Sequence, residues 1–123
     1  MTALYTMINT HRLGEFDHLV HRRFEGHGFA EGGREEWTRA LRSLLRSFPD
    51  MRVSAEQIVT LDDHVVARVR YHGTQQRAFA GVRSTGSSIS VAGVDLHVAR
   101  DGRIASTWSL IDLLSLAGQL VKA

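Results

Sequence analysis

The chain has 123 residues, enough for one domain spanning 1–123 with a real core. At 43% hydrophobic and 23% charged it reads as an ordinary globular protein, and no apolar run nears the roughly 18 residues of a membrane span. Cysteine is absent, which excludes disulfides, thiolate catalysis and cysteine-held metal clusters. The net charge of +2 comes from arginines dispersed among Asp and Glu, so no basic face or stacking platform marks a nucleic-acid partner.

The opening "MTALYTMINTHRLGEF" has no basic segment followed by a long apolar stretch, so it does not read as a signal peptide, and a cytoplasmic protein is expected. "GEFDHLVHRRF" places Phe16, Leu19, Val20 and Phe24 at helical spacing. Glycines 26, 28, 32 and 33 then break the pattern. "REEWTRALRSLLRSF" is the clearest amphipathic helix, with Trp37, Leu41, Leu44, Leu45 and Phe48 in one stripe, ended by Pro49.

From Met51 onward the period changes to two. "MRVSAEQIVTLDDHVVARVRYHG" alternates on both sides of a turn at Asp62-Asp63, with Val65, Ala67, Val69 and Tyr71 sharing one face. "QQRAFAGVRSTGSSISVAGVDLHVAR" continues the strands, and Asp101-Gly102 marks a tight hairpin. The apolar helix "LLSLAGQLV" closes the chain. Helices followed by antiparallel strands predict an α+β fold, with helices on one face of a curved antiparallel sheet and a cavity between them.

A two-residue turn at Asp101-Gly102 pairs Arg100 with Arg103 and sets His97 opposite Ser106 and Asp95 opposite Trp108. Asp95, His97, Trp108 and Asp112 then project from one face, while Ala92, Val94, Leu96 and Val98 form an apolar opposite face. A carboxyl in such a cavity resists ionisation and becomes a better base near neutral pH, with a histidine beside it to shuttle protons. Blander readings stand next to these. Asp112 directly precedes a helix and suits an N-cap, Asp95 could pair with an arginine, and His97 could be a satisfied core histidine. The apolar opposite face needs cover, which predicts a homodimer or higher homo-oligomer through the sheet.

"SFPDMRV", "DDHVVARVRYHGT" and "STGSSISVAGVDLHVARDGRIASTWSLIDLLSLAGQL" resemble the SnoaL-like polyketide cyclases, of the nuclear-transport-factor-2-like superfamily, and the resemblance implies its cone-shaped fold, a curved antiparallel sheet wrapped around N-terminal helices with an internal pocket. Phe48-Pro49-Asp50, Gly73-Thr74, Thr85-Gly86, Gly93, Asp95, Asp101-Gly102, Trp108, Asp112 and Gln119 carry the likeness. The resemblance implies ring closure by intramolecular aldol condensation, a lyase- or isomerase-type activity on a small hydrophobic carbonyl compound, with no cofactor. By the same resemblance Asp112 is the catalytic acid/base and His97 its neighbour on the inner strand. Asp95 would orient His97 or bind substrate, Trp108, Trp37 and Tyr5 would wall the pocket, and His27 would sit near its mouth.

The superfamily hosts many chemistries, so two rivals stay open: an epoxide hydrolase- or isomerase-type reaction in the same pocket, and a non-catalytic module for a small hydrophobic ligand. No metal site is expected. His18 and His21 lack a nearby third ligand, and HExxH is absent. "FEGHGFAEGG" lacks the ending of a phosphate loop, and no G-x-S-x-G elbow occurs.

Overall fold

The computed structural model describes residues 2–79 and 81–120. Five strands form one curved, unclosed sheet in the order β1-β5-β4-β3-β2, with helices packed on its concave side. In chain order the elements are α1 (Thr2–Asn9), a 3-10 turn (Leu13–Glu15), α2 (Phe16–Leu19) and β1 (Val20–His27). There follow α3 (Arg34–Ser47), β2 (Arg52–Leu61), β3 (His64–Thr74), β4 (Ser88–Arg100), β5 (Arg103–Ile111) and α4 (Leu113–Leu120). The closing helix expected to reach Val121 ends its described course at Leu120; Val121 lies outside the described residues.

The sheet is mixed, not wholly antiparallel, because β1 runs parallel to β5. This corrects the expected helix over "GEFDHLVHRRF", which stops at Leu19. Val20 and Phe24, four residues apart, satisfy a helical stripe and a strand alternation equally well. As a strand, Val20, Phe24 and Gly26 turn inward and the segment covers the otherwise open edge of β5.

α3 behaves as its pattern predicts. Glu36 Oε1 accepts the Gly33 N–H at 2.8 Å at its start, and Trp37, Leu41, Leu44 and Leu45 are buried. The Trp37 indole lies flat over Gly26, where any Cβ would collide with it, and its Nε1–H donates to Ala30 O at 2.9 Å. Beyond α3, Phe48 is fully buried, and Asp50 Oδ1 accepts the Thr74 N–H at 2.8 Å. That bond holds the Asp50 carboxyl below its ordinary value and ties the end of α3 to the end of β3.

α1 carries no strong sequence signal yet buries Leu4, Tyr5, Met7 and Ile8. One turn beyond Tyr5, Asn9 clamps strand β2: its side chain donates to Val53 O at 3.0 Å and accepts Val53 N–H at 2.7 Å. Tyr5 is thereby held over the sheet, since residues four apart share a helix face.

The turn at Asp101-Gly102 forms as expected, with φ of 55° and 76° and Arg100 opposite Arg103. The register does not hold. Ala99 pairs with Ile104 but Val98 pairs with Ser106, so Ala105 is an extra residue in β5. Past this bulge every side chain of β5 changes face. His97 sits opposite Thr107 and Asp95 opposite Ser109, while Trp108 and Leu110 turn outward.

Candidate active site

The bulge decides which groups meet inside the sheet. Asp95 and His97 project inward from β4, joined by Thr107 and Ser109 from β5, and α1 lowers Tyr5 onto them from above. All of these are buried, His97 to 0% exposure and Asp95 to 4%. Tyr5 Oη donates to Asp95 Oδ2 at 2.8 Å, and Ser109 Oγ donates to Asp95 Oδ1 at 2.7 Å. Tyr5 Oη also lies 3.0 Å from His97 Nε2, and His97 Nδ1 lies 2.8 Å from Thr107 Oγ1.

These contacts define the proton positions. The single phenolic proton goes to Asp95, so the Tyr5 oxygen accepts Nε2–H from a neutral His97, whose Nδ1 accepts the Thr107 hydroxyl. The chain thus runs Thr107, His97, Tyr5, Asp95 with every donor pointing toward the carboxylate. Among the described residues no buried side-chain polar atom is left without a partner.

Burial pushes the His97 imidazole below its ordinary value, outweighing the opposing pull of the Asp95 carboxylate 3.9 Å away. Burial, reinforced by the Asp95 charge, raises the phenols of Tyr5 and Tyr71 well above their usual range, so both stay neutral.

Two cavities meet at this cluster. A small one of about 30 Å³ is bordered by Tyr5, Trp37, Asp95, His97 and Thr107. A larger one of about 350 Å³ opens beside it, walled by such residues as Phe29, Phe48, Phe79, Val91 and Leu116. Phe29, Leu44, Tyr71 and Ser109 border both, and among the described residues of the larger cavity Tyr71 and Ser109 alone have polar side chains. Loop residue Gly28, with φ of 90°, approaches the Ser109 carbonyl so closely that a Cβ would clash with it.

The residues singled out from the sequence divide into two groups. Asp95, His97, Tyr5 and Trp37 converge at the small cavity. Trp108, His27 and Asp112 do not. Trp108 is 49% exposed on the convex face, where it stacks on His27 at 4.3 Å between ring centres. His27 also contacts Glu31 Oε2 at 3.1 Å, away from both cavities. Asp112 is exposed and accepts the Ser115 N–H at 3.0 Å, as a helix N-cap, and it borders neither cavity. The assumption of an unbulged register is what brought Trp108 and Asp112 onto the inner face. Asp95 has no arginine partner; Arg68 and Arg70 pair instead with Glu56 at 3.2 and 3.7 Å on the outer surface.

Sequence reasoning passed over Ser109, Thr107 and Tyr71. Tyr71 was legible, since it shares the inner face with Val65, Ala67 and Val69. Ser109 and Thr107 become legible only once the bulge is known. Among the described residues no three His, Asp or Glu side chains converge closely enough to hold a metal ion. No helix there is long and apolar enough to cross a membrane.

Comparison with solved structures returns the same architecture. TsrD from Streptomyces laurentii superposes with a TM-score of 0.90 at 27% identity, covering 100% of this chain and 92% of that one. IdmH, a candidate polyketide cyclase from Streptomyces antibioticus, gives 0.85 at 27% identity, covering 97% and 94%. AclR from Streptomyces galilaeus, a candidate hydroxylase, gives 0.76 at 20% identity over 100% and 99%, a likeness of fold alone. No curated protein matches at the sequence level. The family profile of the SnoaL-like polyketide cyclases matches residues 1–120, and the chain belongs to that family.

Proposed function

We propose that the protein is a cofactor-independent acid/base enzyme that closes a ring by intramolecular aldol condensation in an apolar, polyketide-like carbonyl compound. The observation that carries this reading is the Asp95 carboxylate, gripped by two hydroxyls in a small cavity that adjoins a large apolar one. Asp95 is the base that removes an acidic proton next to a carbonyl. Tyr5 and Ser109 hold that carboxylate in place, with His97 bonded in turn to Tyr5, and the apolar walls fold the substrate so that its enolate meets its electrophile. Such positioning can lower the barrier by roughly 7–11 kcal/mol in favourable cases. Asp112, exposed and occupied as a helix cap, is not assigned the base role in this reading.

The test is incubation with a compound carrying a β-keto ester and an aldehyde spaced to close a ring, with cyclised product followed by chromatography. Wild type is expected to accelerate closure, and Asp95→Asn to lose about 100-fold or more of that rate. Closure at the uncatalysed rate by a folded, compound-binding protein would overturn the proposal. It would favour the second reading, a ligand-binding module, which draws support from one observation: Asp95 and His97 are already satisfied within the protein and lie behind the main chamber. Epoxide opening has less support, because it calls for a carboxylate-held water with an Arg or Asn partner and neither residue type borders the cavities.

We propose that the protein is cytoplasmic. We also propose a homodimer through the convex sheet face. There Val59, Val66, Leu96 and Trp108 fall in one cross-strand row, with Val59, Val66 and Trp108 at 54, 40 and 49% exposure. A second copy brings an identical row across a two-fold axis.

A further inference from the structure

The base and the chamber large enough for a substrate are not in the same place. Asp95 borders only the small cavity of about 30 Å³, which has room for little more than a water molecule, whereas the cavity of about 350 Å³ does not reach it. A substrate held in the large chamber is linked to Asp95 by the side chains that border both cavities. Among the described residues two polar side chains stand at the boundary, those of Tyr71 and Ser109. Of these, Ser109 is the one bonded to the carboxylate, with Oγ 2.7 Å from Asp95 Oδ1. Its other neighbour is Tyr71, whose side chain interacts with it from across the sheet.

We infer that Ser109 is a catalytic residue, the hydroxyl through which Asp95 takes a proton from, and returns it to, a substrate in the large chamber. This rests on the proposed acid/base function and adds to it the group that meets the substrate. In the step, the substrate carbon–hydrogen bond breaks and its proton goes to Ser109 Oγ as the serine's own proton passes to Asp95 Oδ1. The electron pair of the broken bond stays on the substrate as an enolate. Serine remains a neutral hydroxyl throughout, and Asp95 ends as a carboxylic acid donating to Oγ. The serine proton now points into the chamber, ready for the alkoxide formed on ring closure. Return of that proton reverses both transfers, so no external acid or base is consumed.

The local geometry favours the relay. Ser109 sits on a strand, not a loop, and Gly28 packs directly against its carbonyl, so its backbone is fixed. The opposite carboxylate oxygen is held by Tyr5, which leaves Oδ1 as the oxygen that receives the proton.

The experiment uses β-tetralone, a bicyclic ketone with acidic α-hydrogens, and follows their exchange for deuterium by proton NMR. Ser109→Thr and Ser109→Val form a pair of equal shape, one with a hydroxyl and one without. Wild type and Ser109→Thr are expected to exchange the probe. Ser109→Val, Ser109→Ala and Asp95→Asn are each expected to lose about 100-fold or more in turnover, with probe affinity little changed. If Ser109→Val matches Ser109→Thr while Asp95→Asn is inactive, the relay is overturned and Asp95 acts directly. If wild type binds the probe but exchanges nothing, both the relay and the acid/base function fall. Should Ser109→Ala not fold, the Val and Thr pair decides alone.

Discussion

At the level of single residues, the site is a line of hydrogen bonds whose direction is set by one proton. The Tyr5 hydroxyl belongs to Asp95, which puts a hydrogen on His97 Nε2, and burial keeps the ring neutral. A buried neutral histidine makes stability depend on pH. Unfolded, His97 gains a proton as pH falls below about 6.5. Folded, its depressed value resists that proton. Its contribution is thus complete above about 6.5 and shrinks as pH falls through the window below it toward the folded value. Urea unfolding at about pH 7.5 and about pH 5.5 should give a lower midpoint at the acid pH, and His97→Gln should flatten the difference.

Between residue and molecule stand the elements, and here the sequence was legible where two signals agreed. α3 shows an apolar stripe together with a proline stop, and the Asp101-Gly102 turn has its own dipeptide. Asp95 and His97 alternate with an apolar set, which puts them on a common face whatever their partners. β1 was not legible, because Val20 and Phe24 fit both periods and only the open edge of β5 decides between them. Nor was the bulge, since Ala105 has no feature that distinguishes it from its neighbours. α1 bears no capping signal, so the placement of Tyr5 over the carboxylate depends on tertiary contacts, chiefly the clamp from Asn9 to β2. Asp112 provides a test at this scale. As the N-cap of α4 it should cost about 0.5–2 kcal/mol on replacement by Ala. The same change should leave α-hydrogen exchange near the wild-type rate. Thermal melting and the β-tetralone assay check the two halves, and a large loss of exchange would return Asp112 to the chemistry.

At the scale of the whole molecule, the sheet serves two purposes with its two faces. The concave face encloses the chamber. The convex face shows Val59, Val66, Leu96 and Trp108 in a row, flanked by the Glu56, Arg68 and Arg70 ion pairs. Sedimentation at micromolar concentration should find a dimer for wild type and a monomer for Trp108→Glu, which sets like charges against each other across a two-fold axis. A wild-type monomer would remove the dimer proposal and leave the row uncovered.

The extra residue Ala105 also gives the last strand a parity. A strand hands alternate letters to two audiences, and one inserted or omitted letter swaps the scripts. Deleting Ala105 would offer the chamber an indole and a leucine in place of two hydroxyls, and offer water the hydroxyls in return. No side chain of the site would have been altered, yet its vocabulary would be gone. For this hairpin, then, an aligned column of letters carries meaning only after the residues between Asp101 and Thr107 have been counted.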